Sequence, residues 1–275
     1  MSEQRPSIEL QNVPRLCYAM QQSAVPWLLA VRLHNPGDAE LADPCVTIEL
    51  EPPLAEPLEW RVAAVPAGDS VALRKPDPRL DPQRLANLLE RVRGEVRATV
   101  RDGAGTVIAT AHSPIEVLAY NEWPGLAVMP PLLAAFVAPN HPALAVLLRD
   151  VSARLEERTG NGALDGYQSG DPARARAMLA AVHDAVRAQE VRYVSPPPSF
   201  ERVGQKVRTP EQVLGDRLAT CLDLALVYAA LLEHIGLQPL VVLQKEHAFV
   251  GAWLVPASTA NPTFGPALEL RKHCD

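Results

Sequence analysis

The sequence predicts an α+β protein of two domains, and two observations lead to this prediction. Up to about residue 119, short runs of alternating apolar and polar residues are separated by proline and glycine turns, a pattern typical of β-strands. After residue 125, apolar positions recur at helical spacing in longer segments. Because a chain of 275 residues exceeds the usual size of a single domain, we expect two separate cores.

Composition and charge narrow the classes of function. The chain is 48% hydrophobic and 21% charged, as in folded globular proteins. With a net charge of -6, we expect no direct binding of nucleic acid and interpret the arginines at positions 84–101 as solvated surface. The sequence has neither an apolar run of about 18 residues nor a signal-peptide pattern. We therefore expect a cytoplasmic protein without a membrane partner.

The four cysteines are Cys17, Cys45, Cys221 and Cys274. No Cys-x-x-Cys pair or Cys/His cluster with zinc spacing is present, so we expect neither a metal nor another cofactor. Cys17 and Cys45 bracket Trp27, but they are only 28 positions apart, too close for the disulfide of an immunoglobulin domain. We expect both to be reduced thiols in the core of the first domain.

Residues 1–119 are predicted to form an antiparallel β-sandwich. Residues 27–33 and 46–50 alternate as strands do, and the segments 35–38 and 101–105 combine Asn, Asp, Pro or Gly as turns do. Leucines at helical spacing predict one short helix within residues 82–91. The alternation ends at residues 120–125, where we place the domain boundary.

The second domain is predicted to begin with two amphipathic helices. Residues 141–158 and 171–189 carry apolar side chains on one face, with Asp171 as the cap and Pro172 in the first turn of the second helix. The glycine-rich residues 159–170 are predicted to form a loop, and the proline run at 195–199 an extended segment.

Two helix-capping patterns follow the proline run, and the second one contains Cys221. Residues 209–212 and 220–223 each place a threonine three positions before a Gln or an Asp, which predicts two helix starts. The second helix is predicted to run from Cys221 to residue 235 and to end at Gly236. Because a helix N-terminus favours the thiolate form of a cysteine, Cys221 is a candidate nucleophile. Asp223 is better explained as part of the capping box than as the acid of a catalytic triad.

A hairpin is predicted after this helix. Residues 240–243 and 247–254 form two apolar strands, and His247 begins the second. If the hairpin packs on the helix, the imidazole lies beside the thiol. By the period of two, Phe249 and Trp253 share the histidine's face of the strand, where they either wall a site or belong to the core.

The order of these features resembles the transglutaminase-like branch of the papain-related cysteine hydrolases over residues 190–255. The resemblance implies Cys221 as nucleophile and His247 as base. By analogy with papain-type enzymes, Gln205 is a candidate oxyanion donor; its position in the sequence fits a surface glutamine equally well. The runs 204–208 and 221–225 resemble more closely a module in the amino-terminal part of large bacterial superfamily-1 helicases, where an immunoglobulin-like β-sandwich precedes the transglutaminase-like domain. The resemblance thus implies an immunoglobulin-like sandwich at 1–119 and a transglutaminase-like domain at 120–275, either complete or truncated at its C-terminus.

The resemblance implies a peptidase or amidase that forms an acyl-thioester on Cys221, with a protein or peptide as substrate. In such sites a third residue orients the histidine, and no convincing match is found for it. Glu269 or Asp275 fills the role, or the residue lies outside this sequence, or the site is incomplete. The last case favours the alternative function, a non-catalytic interaction module that recruits a protein to a larger helicase or nuclease effector.

Overall fold

The computed structural model describes residues 5–257, 261 and 263–265. These residues form helices and several separate sheets, so the predicted α+β class is confirmed. The chain divides into two compact units, Met1–Glu122 and Trp123–Asp275; the sequence had placed the boundary between residues 119 and 120. No helix in the described ranges combines the length and the apolar character needed to cross a membrane.

The first unit consists mainly of strands. Its strands are β1 (Ser7–Asn12), β2 (Arg15–Leu16), β3 (Leu28–His34), β4 (Leu41–Ala42), β5 (Cys45–Glu51), β6 (Leu58–Arg61), β7 (Ala64–Val65), β8 (Ser70–Leu73), β9 (Val92–Arg101) and β10 (Val107–Val117), and β11 (Glu122–Trp123) lies at the boundary. Two short helices, α1 (Tyr18–Gln22) and α2 (Pro82–Ala86), interrupt them.

The strands of this unit form two main sheets. One has the order β1-β3-β8 and the other the order β2-β10-β9-β5-β6, while β4 and β7 form a separate pair. The neighbours pair in antiparallel fashion, except that β2 runs parallel to β10. Strand β1 of the first sheet lies against β10 of the second.

Alternating side chains of β5 and β9 show why this segment forms a sheet. Val46 lies opposite Val100, and Ile48 lies opposite Ala98; all four are buried. The residues between them on β5 are more exposed, so one face of the sheet enters the core and the other does not. The strand predicted at residues 46–50 is thus confirmed.

Strand β3 confirms the strand predicted at residues 27–33 but departs from strict alternation. Leu28 and Val31 are both buried, whereas the two residues between them are exposed. The register with β1 shifts at this point, because Asn12 pairs with Leu28 and Gln11 with Ala30. This β-bulge adds one residue to the strand and changes which positions enter the core.

Helix α2 confirms a helix in the predicted segment but is shorter than 82–91. The Asp81 carboxylate caps it by accepting hydrogen bonds from the backbone N–H groups of Gln83 and Arg84. Leu85 is the buried residue of this helix, so little packing favours a longer one. Helix α1 was not predicted; it lacks a side-chain cap and is held by the buried Ala19 and Met20.

The cysteines of the first unit differ from each other. Cys17 and Cys45 are free thiols, and Cys17 is 1% exposed. Burial raises the pKa of the Cys17 thiol to about 11, against smaller opposing contributions from backbone hydrogen bonds. Cys45 is only partly buried at the start of β5, so its predicted place in the core was wrong.

The raised pKa of Cys17 makes stability fall at high pH. The folded state keeps the thiol protonated, whereas the unfolded chain releases the proton above the ordinary pKa of 9.0. The stabilisation is therefore complete below pH 9 and is lost as the pH rises toward 11. Urea unfolding followed by circular dichroism measures the free energy of unfolding at each pH. Between pH 8 and 10.5 this free energy should fall by about 2 kcal/mol more in the parent than in Cys17→Ala. Equal losses in the two proteins would contradict this.

The second unit contains the longer helices. Its elements are a 3-10 helix (Pro130–Phe136), α3 (Leu144–Thr159), α4 (Pro172–Arg187), β12 (Arg192–Tyr193), α5 (Phe200–Val203), β13 (Gln205–Lys206), α6 (Pro210–Asp216), β14 (Leu218–Ala219), α7 (Cys221–His234), β15 (Pro239–Gln244) and β16 (His247–Ala252). Helices α3 and α4 confirm the two predicted amphipathic helices, and Asp171 caps α4 as expected.

Helix α7 is the central element of this unit. It packs against α4 and against the hairpin β15–β16. Most of its side chains are buried, including Leu222, Val227 and Leu231, as expected for a helix that is apolar nearly all round. The chain turns after α7 at Gly236, which has a φ of 82°, a conformation that glycine adopts without strain. The predicted buried helix and its glycine stop are confirmed.

Candidate functional site

The start of helix α7 is fixed by a complete capping box. The Thr220 hydroxyl accepts a hydrogen bond from the Asp223 backbone N–H at 3.2 Å, and the Asp223 carboxylate accepts one from the Thr220 N–H at 2.9 Å. Cys221 is therefore the first helical residue, and it is 5% exposed. The predicted helix start at residues 220–223 is confirmed, and so is the one at 209–212, where Thr209 and Gln212 form a second capping box.

Asp223 is also the partner of Arg208. Its side chain is fully buried, and its carboxylate accepts hydrogen bonds from the backbone N–H of Arg208 at 2.8 Å and from the guanidinium at 2.9 Å. Together with the Thr220 N–H, these donors occupy both carboxylate oxygens. This supports the structural interpretation of Asp223: the carboxylate holds the residue 208 segment against the start of α7.

His247 begins strand β16, at the turn of the hairpin. It pairs with Gln244 of β15 in antiparallel register, and the turn is made by Lys245 and Glu246, the latter with a φ of 58°. The predicted pairing of the two strands is confirmed. The imidazole is exposed and stacks on Phe249, with ring centroids 6.2 Å apart and planes 29° apart, as the shared strand face requires.

Cys221 and His247 line the same cavity. Its volume is about 370 Å³, and its walls come mainly from α4, α7 and β16. Ala248, the residue after the histidine, belongs to the same buried apolar cluster as Cys221 and Leu222. The packing of the hairpin on α7 thus brings the predicted nucleophile and the predicted base to one site.

Tyr193 also lines this cavity. The pKa of its hydroxyl is raised above the ordinary value, first because the group is partly desolvated and then because the Cys221 sulfur is near. The tyrosine side chain is 57% exposed. A neutral hydroxyl beside the sulfur can donate a hydrogen bond to a thiolate.

Tyr193 was missed because no local pattern in the sequence connects it with Cys221. The two-residue strand β12 runs parallel to β14, so that Tyr193 pairs with Ala219. Ala219 lies two positions before the candidate nucleophile. His183 and Tyr228, which stack with centroids 6.4 Å apart, also line the cavity and were likewise not assigned to the site.

Gln205 and Trp253, the two other residues predicted for the site, do not line the cavity. Gln205 is 3% exposed, and its side-chain amide donates to the Thr220 hydroxyl at 2.9 Å. It thus contacts the cap of α7 and does not line the cavity. Trp253 follows the end of β16 and is not a lining residue either; its backbone carbonyl accepts a hydrogen bond from the Tyr167 hydroxyl at 2.7 Å.

A close backbone approach determines where Gln205 lies. Gly204 precedes it with a φ of 84°, and a Cβ atom at this position would lie 1.9 Å from the Trp123 carbonyl oxygen. No larger residue fits without moving the backbone. This glycine therefore allows the chain to bring Gln205 to the capping threonine.

The third member of a triad is not found within residues 5–257. In this part of the chain no carboxylate or amide side chain is hydrogen-bonded to the His247 ring. The two candidates from the sequence, Glu269 and Asp275, lie outside the described residues. The described residues also contain no group of three His, Cys, Asp or Glu side chains that could hold a metal ion.

Comparison with known proteins gives no family. No protein-family model matches the chain, and no curated protein matches it significantly. Among solved structures, the chain is similar to a calcium-binding mutant of Bacteroides uniformis beta-glucuronidase 2, with 18% identity and a TM-score of 0.24. The match covers 43% of this chain and 13% of that one, and this similarity is too low to indicate a shared fold.

Proposed function

We propose that the second unit is a transglutaminase-like, papain-related cysteine hydrolase that cleaves peptide or isopeptide amides. One observation carries the proposal. Cys221, at the capped start of α7, and His247, at the start of β16, line one cavity of about 370 Å³. A nucleophile and a base that line one pocket large enough for a substrate group are the elements that acyl transfer requires.

The reaction follows from the two side chains. His247 accepts the thiol proton, and the Cys221 sulfur attacks the amide carbonyl carbon. The carbon–nitrogen bond breaks, His247 gives the proton to the leaving amine, and the acyl group remains on Cys221 as a thioester. Water then attacks the thioester while His247 takes its proton; the carboxylic acid leaves, and the proton returns to the sulfur. The Tyr193 hydroxyl is positioned to donate a hydrogen bond to the sulfur when it carries negative charge.

The proposal includes a role for the first unit. We assign to its two sheets the immunoglobulin-like sandwich of the helicase-associated modules that the sequence resembles, and to the second unit their transglutaminase/papain-like domain. In this proposal the protein acts in the cytoplasm, and the first unit positions a protein substrate or connects the module to a helicase or nuclease region.

A second candidate function is supported by a different observation. The His247 ring is exposed and is not oriented by a carboxylate or amide among residues 5–257. Because an imidazole without such a partner is a weaker base, the second unit is alternatively an interaction module without catalysis. In that case it recruits a protein to a larger helicase or nuclease effector. The cavity then binds part of the recruited protein or has no role in the chemistry.

Acylation by a small activated ester separates the two functions. The 275-residue chain is mixed with excess 4-nitrophenyl acetate, a small ester that needs no contact in the cavity other than with Cys221. A hydrolase should release one 4-nitrophenolate per chain in a rapid burst, followed by slower turnover, because the acetyl-thioester forms faster than water removes it. Peptide mass mapping should place the acetyl group on Cys221. No burst, or an acetyl group on other residues only, would support the interaction module.

A further inference from the structure

The cavity beside Cys221 is an apolar slot. Its walls are formed by aliphatic side chains of three elements: Leu179 and Val182 of α4, Leu224, Ala225 and Leu232 of α7, and Val250 of β16. Among the described residues that line it, none is an Asp, Glu, Lys or Arg. A charged group that entered the aliphatic part of the slot would lose hydration without gaining a Lys, Arg, Asp or Glu partner.

The slot extends from the candidate nucleophile along helix α7. Cys221, Ala225, Tyr228 and Leu232 all line it, and their spacing of four, three and four residues places them on one face of a helix. At 1.5 Å per residue, this face is about 16 Å long. The volume of about 370 Å³ is at the lower end of the range of ligand pockets, which is roughly 300–1,000 Å³. A slot of this size holds a large side chain with part of its backbone.

Aromatic rings also contribute to the lining of the slot. Tyr193 is 57% exposed and Phe249 is 41% exposed, and both are lining residues near the site. Farther from Cys221, His183 stacks on Tyr228 with the planes 20° apart. Partly exposed aromatic rings in the lining of an aliphatic slot favour a flat or bulky apolar group, because aromatic pairs gain more than their buried area alone provides.

We propose that this slot binds the side chain next to the scissile amide, and that the substrate is a peptide with a large apolar or aromatic residue on the acyl side of that bond. This inference rests on the proposed function, since it gives the slot a role in acyl transfer to Cys221. Burial of a phenylalanine-sized side chain favours binding by about 10- to 100-fold over glycine. An aspartyl side chain is selected against, because it enters the slot unpaired.

Peptide chloromethyl ketones test the preference. The thiolate of Cys221 displaces chloride, so that a carbon–sulfur bond forms and the carbon–chlorine bond breaks. Three N-acetylated reagents are compared, with phenylalanyl, glycyl and aspartyl residues, and each rate is divided by the rate of the same reagent with glutathione. The phenylalanyl reagent should inactivate the 275-residue chain at least about 10-fold faster than the glycyl reagent, and the aspartyl reagent should be the slowest.

Leu224→Glu places a carboxylate in the slot on a half-buried position of α7. For each variant, the rate of inactivation by each reagent is divided by the rate of iodoacetamide labelling. In Leu224→Glu the normalised rate with the phenylalanyl reagent should fall to that with the glycyl reagent. Val146→Glu is the matched control, because Val146 lies on α3, is 60% exposed and does not line the slot; its preference should stay at the parent value. If Leu224→Glu does not fold by circular dichroism, Leu179→Glu makes the same change from α4.

The outcomes separate this inference from the function on which it rests. If Cys221 reacts with iodoacetamide no faster than glutathione does at pH 6, the proposed hydrolase fails, and the slot loses its role with it. If Cys221 reacts rapidly but the phenylalanyl and glycyl reagents differ by less than threefold, only the apolar slot is overturned. A preference that persists in Leu224→Glu likewise overturns it.

Discussion

Replacement of Cys221 by alanine is expected to abolish the burst of 4-nitrophenolate and to lower steady-state hydrolysis at least about 1,000-fold, because loss of the nucleophile removes the covalent route altogether. The substitution removes one sulfur atom at a position that is 5% exposed and introduces alanine, the best helix-forming residue. The capping box depends on Thr220 and Asp223 and is retained. The change should therefore affect chemistry far more than folding.

Cys45→Ala is the matched control for this experiment. Cys45 is a free and partly buried thiol in the first unit, so its loss removes one reactive sulfur without touching the cavity. The burst should keep its amplitude in this variant. If Cys221→Ala, folded by circular dichroism, retains more than a tenth of the burst, Cys221 is not the nucleophile.

The largest effect on stability is expected for Asp223→Ala. The carboxylate is fully buried and accepts hydrogen bonds from the Thr220 N–H and from the backbone and side chain of Arg208. Its removal leaves these donors without an acceptor and the guanidinium without its ion pair. The expected cost is about 3–5 kcal/mol in the free energy of unfolding of the second unit. Hydrogen exchange of the α7 amides, measured by mass spectrometry, reports this opening.

Asp171→Ala provides the comparison for a cap alone. Asp171 caps α4 by accepting from the Ala173 N–H at 2.8 Å, and it is exposed. Loss of such a cap costs about 1 kcal/mol. If the α7 amides of Asp223→Ala exchange no faster than in this control, the carboxylate does not hold the start of α7 in the way described.

The sequence predicted those parts of the site that depend on local signals. Thr220 and Asp223 lie three residues apart, and this spacing alone specifies a capping box. His247 follows a two-residue turn and begins an apolar run, which is sufficient to place it at the start of a strand. Both predictions are confirmed, because neighbouring residues determine these elements.

Contacts between distant segments could not be predicted in the same way. Tyr193 reaches the site through the parallel pairing of β12 with β14, and neither two-residue strand has a periodic pattern. Trp253 lies six positions after His247, and a continuous strand would place both side chains on one face. Because β16 ends at Ala252, this alternation no longer determines the direction of the Trp253 side chain. In the first unit, the bulge opposite Gln11 and Asn12 changed the buried face of β3 without a glycine or proline to mark it.

The central claim is that Cys221 and His247 act as a pair, and the rate of alkylation of Cys221 tests this most directly. Iodoacetamide labelling is followed by peptide mass mapping between pH 5 and 9, in the parent and in His247→Ala, with glutathione as the reference thiol. An ordinary thiol with a pKa near 8.5 is only about 0.3% thiolate at pH 6.

If the pair acts together, Cys221 of the parent should label at least about 10-fold faster than glutathione at pH 6, because His247 accepts the thiol proton while the sulfur attacks the reagent. In His247→Ala this advantage over glutathione should be lost, so that the pH profile of labelling differs from that of the parent. A parent rate no greater than that of glutathione at pH 6, or a pH profile that is unchanged in His247→Ala, would contradict the account.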